Sequence, residues 1–344
     1  MIDKYALETK LSALRIAGVV ENMTENEFFY DIAIRFNADI TYNKIKARLK
    51  DLQIFLDAPI DLASEAGLVV LKVKKDRQIV LSPFAYYNRI TKKDIPETND
   101  KILPLAIGQG ENGNQIFFDL VKAPHLLVAG STGSGKSVFI HNCIISLLCS
   151  AKSEIILVDV KKVEFSMYEG LSCLKTDICY DTKSTLKMLK NLVYEMEKRY
   201  NQFTSAHCRT ISEYREKGYQ MPYITLIIDE LADLMMQDKR IEPLLVRLAQ
   251  LGRASGIHLI LATQRPDSTV LSGLIRANVP SRVCFAVQKA TDSRIVLDMT
   301  GAENLSGSGE GLLLPIGSKK PTLFKAPYTT TQQIYDIVEM YKSL

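Results

Sequence analysis

The chain has 344 residues, of which 47% are apolar and 24% are charged, and this composition excludes a largely disordered protein. The length allows two domains and gives at least one of them a core large enough for an enzyme. The formal net charge of +4 permits a local patch that binds nucleic acid but does not require one.

The first hundred residues carry alternating helix and strand signals, which predict a small α+β domain over residues 1–100. The segment from Lys92 to Asp100 is polar and contains a proline, so we expect it to link this domain to a second one over residues 101–344. The elements predicted before the linker are a helix at Lys4 to Ile16 that Gly18 ends, a strand at Phe28 to Phe36, a helix at Thr41 to Leu56 and a strand at Leu68 to Val73.

Beyond the linker, short and nearly continuous apolar runs alternate with helical stretches, a pattern typical of buried parallel strands. The predicted strands are His125 to Ala129, Ile155 to Val160, Tyr223 to Ile228, His258 to Ala262 and Arg282 to Val287. The predicted helices are Ser137 to Leu148, Thr182 to Tyr200, Ile241 to Leu251 and Gln332 to Tyr341. This order predicts an α/β fold with helices on both faces of a parallel sheet, where ligands bind beyond the carboxyl ends of the strands.

The first candidate site is an octapeptide that follows the first of these strands and precedes an apolar helix. Its residues are Gly130, Ser131, Thr132, Gly133, Ser134, Gly135, Lys136 and Ser137. The spacing matches a P-loop, in which backbone N–H groups and the helix amino terminus contact the phosphates of ATP. Lys136 would neutralise the β- and γ-phosphates, and Ser137 would bind Mg²⁺. The alternative is a glycine-rich turn that matches by chance.

Two further predicted strands end in side chains suited to hydrolysis. Asp229 and Glu230 end one of them, where Asp229 would hold Mg²⁺ through water and Glu230 would polarise the attacking water. Gln264 follows another strand and could contact the γ-phosphate or the water. The alternatives are a solvated acidic cap for the two carboxylates and a structural role for the glutamine.

A third strand ends near Asp159, with Lys161 and Glu164 shortly after it. For these three residues, a buried ion pair that shapes the site stands beside a catalytic role.

No arginine near the P-loop is an obvious stabiliser of the transition-state charge, so we expect one from a neighbouring subunit and hence an oligomeric enzyme. Arg253 lies at a helix end and is the first candidate, with Arg282 and Arg294 as competitors. The alternative for each is an ordinary surface arginine.

These residues and the segments around them resemble the FtsK/SpoIIIE family of double-stranded DNA translocases. The resemblance covers about Leu103 to Leu344 and runs through APHLLVAGSTGSGKS, DVKKVEFSMYEG, EMEKRY, PYITLIIDELADLMM, RLAQLGRASGIHLILATQRPDSTVLSGLIRANVPSRV and DSRIVLDMTGAENLSGSGEGLLL. Many families share a P-loop, whereas LATQRP followed by GLIRANVPSR and DSRIVLD is specific to this family. The first hundred residues are similar to a shorter form of the family's small ring-forming domain.

The resemblance implies a RecA-like motor that forms a homohexameric ring with double-stranded DNA in its pore and with ATP and Mg²⁺ between subunits. Arg253 matches the family's trans-acting arginine. Arg265 and Arg276 match residues that project into the pore, and Lys289 lies one position from the family's usual lysine. We expect these basic residues to follow strand ends on the P-loop side of the sheet and to contact DNA phosphates. A solvated surface charge is the alternative for each.

Two departures from the family bear on the biological role. The chain stops at Leu344, which leaves no room for a winged-helix reader of orienting sequences, and it has no apolar run long enough to span a membrane. The six cysteines form no CxxC pair, as is typical of reduced cytoplasmic thiols. We therefore expect a cytoplasmic motor for DNA transfer, in conjugation or in plasmid or chromosome movement, that reaches a membrane channel only through a partner.

Two other functions remain open. A protein-secretion ATPase of the type VII kind has a similar P-loop and strand-end carboxylates, but such proteins string several ATPase domains along one chain, and this sequence has one P-loop. A nucleotide-gated scaffold of a transfer complex would hydrolyse little ATP, which Lys136, Asp229 and Glu230 oppose.

Overall fold

The computed structural model describes residues 2–26, 29–58, 60–65, 68–75 and 102–343. The predicted linker from Lys92 to Asp100 and the first residue of the predicted strand, Phe28, lie outside these residues. The chain forms two compact units, which are described separately.

The described part of the first unit is an antiparallel four-stranded sheet with three helices. Its elements are α1 (Lys4–Ala13), β1 (Gly18–Glu25), β2 (Phe29–Phe36), α2 (Tyr42–Ala47), α3 (Leu49–Leu56), β3 (Ile60–Glu65) and β4 (Leu68–Lys74). The strand order is β1-β2-β4-β3. Leu7 and Leu11 of α1, Leu52 of α3 and Ile32 of β2 are fully buried in one core.

The helix predicted from Thr41 to Leu56 is two helices, because the backbone leaves helical geometry at Arg48, where φ is −102° and ψ is 3°. The sequence does not predict β1, since Val20 is its one buried side chain and no alternation can be read.

Among the described residues, the second unit contains a nine-stranded sheet and eight α-helices. Its strands are β5 (Pro104–Gly110), β6 (Gln115–Asp119), β7 (His125–Ala129), β8 (Ser153–Val158), β9 (Tyr223–Ile228), β10 (Ile257–Thr263), β11 (Ser281–Phe285), β12 (Glu310–Leu314) and β13 (Thr322–Lys325). Its helices are α4 (Lys136–Ser150), α5 (Thr182–Ser205), α6 (Ile211–Glu216), α7 (Leu231–Gln237), α8 (Ile241–Ser255), α9 (Gly273–Asn278), α10 (Ala290–Leu297) and α11 (Thr331–Lys342).

The strand order in this sheet is β6-β5-β13-β12-β11-β7-β10-β9-β8. The strands from β11 to β8 pair in parallel and are the five that the sequence predicts, with ends within two residues. The pairs β11 with β12, β12 with β13 and β5 with β6 are antiparallel, so the sheet as a whole is mixed. The predicted α/β class is confirmed, and the antiparallel part is an addition that the sequence pattern does not predict.

Helices cover both faces of the sheet. Leu126 and Val128 of β7 pack on one face with α4 and α11, whereas Leu127 and Ala129 pack on the other face with α5, α7 and α8. Because both faces are buried, the parallel strands read as continuous apolar runs in the sequence.

The outer edge of β8 is covered by an irregular segment of the same chain. The Ile155 N–H donates to Cys173 O over 2.9 Å, and the Cys179 N–H donates to Leu157 O over 3.0 Å. The segment therefore occupies backbone groups that a free edge strand would expose. In the parts of the chain that the structure describes, no helix combines the length and apolar character needed to cross a membrane.

Candidate nucleotide site

The P-loop connects β7 to α4 and lies at the carboxyl edge of the parallel strands. Gly133 has a φ of 79° and Gly135 a φ of 105°, both in the region that favours glycine. A side chain at Gly135 would also clash, because its Cβ would lie 2.6 Å from the Gly309 nitrogen. No side chain caps the start of α4. Its first amide groups are therefore available to an anion.

Three neighbouring segments hold the P-loop in place. The Gly130 N–H donates to Thr263 O over 3.3 Å, and the Ser131 N–H and hydroxyl both donate to Ala286 O, over 2.9 and 2.8 Å. The Gly309 N–H donates to Ser134 O over 2.8 Å. The loop is thus tied to the ends of β10 and β11 and to the turn before β12.

Lys136 and Asp229 form a buried ion pair at the centre of the site. The Lys136 Nζ donates to Asp229 Oδ1 over 2.8 Å and to Asp229 O over 3.0 Å. Both residues are almost fully buried, at 3% and 2% exposure. Burial raises the pKa of Asp229, and the Lys136 ammonium opposes this effect. The predicted neighbourhood of the P-loop lysine and the β9 carboxylate is present.

Glu230 is the second carboxylate and points toward the end of β10. It accepts hydrogen bonds from the Thr263 hydroxyl over 2.7 Å and from the Gln264 N–H over 3.1 Å, and the Lys161 Nζ lies 3.5 Å from its Oε2. Its side chain is buried, so these partners fix the carboxylate orientation. It is not the solvated acidic cap considered as an alternative.

Gln264 reaches across to the P-loop. Its Oε1 accepts a hydrogen bond from the Thr132 hydroxyl over 3.2 Å. A cleft of about 420 Å³ opens beside this contact, and its polar lining includes Ser131, Thr132, Gln264, Arg265, Gln288 and Asp292. Gln264 therefore contacts the P-loop and lines the cleft beside it.

Asp159, Lys161 and Glu164 do not pair with one another, so the interpretation as an ion pair among them is wrong. Asp159 Oδ2 accepts from the Glu164 and Phe165 N–H groups, each over 2.9 Å. Lys161 lies 3.4 Å from Asp233 in addition to its contact with Glu230. Through these two backbone hydrogen bonds, Asp159 shapes the loop after β8.

Arg253 lies at the amino edge of the parallel strands, the edge formed by their amino ends and opposite the P-loop. It is exposed near the end of α8, before β10 begins, and its Nη2 donates to Lys122 O over 3.4 Å, just before β7. The length of β10 separates it from Gln264 by roughly 20 Å, at the usual rise of a strand. Arg253 therefore cannot reach the P-loop of its own subunit.

The two competing arginines differ in their surroundings. Arg282 is buried and donates to Val296 O over 2.9 Å and to Asp298, so its guanidinium is already engaged within the fold. Arg294 is exposed on α10.

The three candidate DNA-binding residues do not share one edge. Arg265 and Lys289 are exposed just after β10 and β11, on the P-loop side. Arg276 lies near the amino end of β11, where it pairs with Asp298 over 3.3 Å and its carbonyl accepts from Arg282. The expectation of a common edge is wrong for Arg276, because α9 carries the chain back along the sheet before β11 starts.

The residues at the carboxyl edge fit the triphosphate of ATP with Mg²⁺. A Cβ added at Gly133 would meet no atom within 4 Å, which leaves room for phosphates, and the buried Ser134 hydroxyl has no hydrogen-bond partner within the described structure. Ser137, at the start of α4, and Asp229 carry oxygen atoms of the kind that Mg²⁺ prefers as ligands.

Sequence reasoning missed a chain of hydrogen bonds beside the site. His141 Nδ1 lies 2.8 Å from the Tyr168 hydroxyl, and His141 Nε2 lies 3.3 Å from Glu164 Oε2. The signal that could have found it is His141 itself, one α4 turn after Ser137 and polar within an apolar helix.

Comparison with known proteins places the chain in one family. Residues 88–268, just over half of the chain, match the model of the FtsK/SpoIIIE family. The DNA translocase FtsK of Listeria monocytogenes is 43% identical over 353 residues, which cover 98% of this chain and 45% of that protein. The DNA translocase SpoIIIE of Bacillus subtilis is 34% identical, over 98% of this chain and 44% of that protein. The chain thus spans less than half the length of these relatives.

Solved structures have the same fold. The pCW3 conjugation coupling protein TcpA, in a monomer form with ATPγS, aligns with a TM-score of 0.70 and 26% identity over 98% of this chain and 99% of that one. The cytoplasmic domain of the type VII secretion ATPase EccC of Thermomonospora curvata aligns with a TM-score of 0.64 and 26% identity over 76% and 32%. These likenesses confirm the expected RecA-like P-loop motor. With the sequence relatives, they establish that the chain belongs to the FtsK/SpoIIIE family.

Proposed function

We propose that this chain is the ATP-hydrolysing motor of a double-stranded DNA translocase that works as a homohexameric ring. The observation that carries the proposal is the division of the site between two edges of one sheet. Lys136 and Asp229 lie at the carboxyl edge, and Arg253 is exposed at the amino edge. A second copy that brings its amino edge to the first copy's P-loop would complete the site, and repetition of this contact produces a ring where the rotation between copies closes.

Each residue at the carboxyl edge has a role in this proposal. The segment Gly130 to Ser137 holds the phosphates, and Ser137 and Asp229 hold Mg²⁺, which neutralises charge on the phosphates when it is bound. Glu230 polarises the attacking water. Gln264 senses the γ-phosphate, a role supported by its hydrogen bond with Thr132 of the P-loop.

DNA would contact exposed cations near the same edge. Arg265 and Lys289 follow β10 and β11. Loss of the γ-phosphate could therefore move both side chains by shifting the ends of these two strands. Arg276 is a weaker candidate, because its guanidinium contacts Asp298. Contacts to phosphates make binding salt-dependent and indifferent to sequence.

We propose DNA transfer as the setting. The conjugation coupling protein TcpA aligns over nearly all of both chains, which supports a motor that feeds DNA to a transfer channel, with residues 1–100 as the ring-forming or adaptor domain. The motor would act in the cytoplasm and meet the membrane through a partner. The alignment with EccC supports protein secretion as a second candidate, although it covers 32% of that chain.

The test is ATPase activity measured with and without linear duplex DNA. We expect strong stimulation by DNA, and loss of at least about 100-fold of the activity in Lys136→Ala, because the buried lysine charge is then missing at the phosphates. A rate that DNA does not change would reject the translocase and favour the secretion motor. Negligible hydrolysis with intact nucleotide binding would favour a gated scaffold.

The DNA-binding residues can be tested by the salt dependence of DNA binding. Log affinity falls as log salt rises. We expect the double variant Arg265→Ala, Lys289→Ala to make this fall shallower by about 2 in slope, one for each lost phosphate contact. Arg276→Ala is the matched comparison and should change the slope less. Equal slopes for the wild type and the double variant would remove Arg265 and Lys289 from the interface.

A further inference from the structure

Glu164 lies beside the P-loop although it belongs to the loop after β8. Asp159 fixes this loop by accepting hydrogen bonds from the Glu164 and Phe165 N–H groups. The Glu164 side chain is therefore not needed to hold its own loop. It turns toward α4, and 26% of its surface stays accessible.

A hydrogen-bonded chain orients this carboxylate. Glu164 Oε2 can only accept, so His141 Nε2 carries the proton between them over 3.3 Å. His141 Nδ1 lies 2.8 Å from the hydroxyl of Tyr168, which is fully buried. Two buried side chains thus hold Glu164 in one orientation, an arrangement often found behind groups that face a metal.

The charge on Glu164 interacts with ionisable residues of the nucleotide site. The hydrogen bond from His141 lowers the pKa of Glu164, and the Ser137 hydroxyl and the Lys136 ammonium lower it further, against the effect of burial. The Glu164 charge in turn contributes to the raised pKa of Asp229. His141, which contacts Glu164, follows Ser137 by one turn of α4, so Glu164 lies on the side of α4 that carries Ser137, one of the Mg²⁺ ligands proposed above.

We propose that Glu164 is a positioning residue for the Mg²⁺ of the bound nucleotide, which it contacts through metal-bound water, with His141 and Tyr168 holding its carboxylate. The inference rests on the proposed function, because it takes the P-loop as an ATP site. Mg²⁺ usually keeps several waters and is bound by one or two carboxylates together with phosphates. A held carboxylate beside Ser137 can accept hydrogen bonds from those waters.

The test is the Mg²⁺ dependence of nucleotide binding, measured with a fluorescent and slowly hydrolysed ATP analogue. We expect Glu164→Gln to raise the Mg²⁺ concentration at half-maximal binding by about 10-fold or more, as for other groups behind metal ligands. Binding in the presence of EDTA should stay as in the wild type. Tyr168→Phe keeps the ring and removes the hydroxyl that ends the chain of hydrogen bonds. It should therefore give a smaller shift of the Mg²⁺ dependence in the same direction.

The matched control is Glu169→Gln, which removes an exposed carboxylate of the same loop that accepts from the Tyr180 hydroxyl. It should bind Mg²⁺ and nucleotide as the wild type does. If Glu164→Gln shows the control's Mg²⁺ dependence, or weakens binding equally with and without Mg²⁺, the inference is overturned. If the wild type binds no nucleotide, the proposed function itself fails. If Glu164→Gln does not fold, an unshifted Mg²⁺ dependence in Tyr168→Phe overturns the inference.

Discussion

The two edges of the parallel strands hold polar groups of different kinds. At the carboxyl edge, Lys136, Asp229 and Glu230 are buried but bond to one another or to adjacent strand ends, next to an open cleft. At the amino edge, His125 and His258 are buried and each has an Nε2 without a partner within the described structure. The carboxyl edge therefore has an open cleft next to its polar groups. The amino edge has buried histidines, and an exposed arginine, Arg253, lies at the helix end next to them.

The backbone fixes the protonation of the two histidines at the amino edge. His125 Nδ1 accepts from the Leu259 N–H over 3.1 Å, and His258 Nδ1 donates to Pro124 O over 2.8 Å. Burial is the main cause that lowers the pKa of His125 to about 3 and that of His258 to about 4. Both rings therefore stay neutral beneath the helix end that presents Arg253, and their role is structural.

The largest expected effect tests whether the edges of two subunits form one site. Arg253→Ala should lower kcat for ATP hydrolysis by about 10³-fold or more, the usual contribution of an arginine supplied in trans. Nucleotide binding by the separate subunit should persist, because Arg253 is far from its own P-loop. Steady-state hydrolysis and fluorescent nucleotide binding measure the two quantities.

Arg247→Ala is the matched control, since Arg247 is exposed on the same helix and pairs with Glu197 over 2.7 Å. It should keep most of the activity. Mixing Arg253→Ala with Lys136→Ala protein should restore some hydrolysis, because mixed rings contain interfaces with both groups intact. No recovery on mixing, or loss of nucleotide binding in Arg253→Ala alone, would contradict a shared site.

The next effect tests the carboxyl edge by itself. Glu230→Gln should lower kcat by about 10²-fold with little change in nucleotide affinity, because the amide keeps the shape but loses the charge that polarises water. Single-turnover hydrolysis at saturating ATP measures it. The control is Asp233→Asn, which also faces Lys161 but is partly exposed. Equal losses in the two variants would show that Lys161 pairing, and not the position of Glu230, is what matters.

The amino edge should make stability depend on pH. The pKa of His258 is about 4 in the folded chain and near 6.5 in an unfolded one, so acid protonates the unfolded chain first. The free energy of unfolding should therefore fall by roughly 2 kcal/mol for this group as pH drops from 6.5 to 4.5. His258→Asn keeps a donor for Pro124 O and should flatten the slope. Urea unfolding over this pH range tests it, and an unchanged slope would contradict the assignment.

The smallest effect concerns Tyr223, which stacks on His258 with ring centroids 5.8 Å apart and whose buried hydroxyl has no partner within the described structure. Tyr223→Phe removes an unsatisfied polar group, so stability should stay constant or rise by up to about 1 kcal/mol. Thermal unfolding measures the change. A loss of more than about 1 kcal/mol would mean that the hydroxyl is bonded, for example to a buried water.

The parallel strands could be predicted closely because each is buried on both faces and separated from the next by at least one helix. The strands β5 and β12 could not, since PLAIGQG and EGLLL contain glycine and carry no clear alternation. The helix break at Arg48 could not be predicted from the sequence either. The helical spacing of apolar residues continues through Arg48, and only the backbone changes direction there.

Within the site, residues that directly follow a strand could be found from the sequence. The P-loop, Asp229 and Glu230 are of this kind, because strand order alone brings their loops to one edge. His141 could have been noticed as a polar residue in an apolar helix, but its partner Glu164 could not be identified, since the two residues are 23 positions apart and meet through the packing of α4. The edge on which Arg276 lies was predicted wrongly, because it depends on the path of α9.

The segment that covers β8 has a consequence for assembly. Its hydrogen bonds to Ile155 and Leu157 cap the outer strand, so a second copy cannot extend the sheet at that edge. Copies that meet there must do so through side chains, which can separate and re-form during a catalytic cycle. Fibre growth by strand addition at β8 is therefore blocked.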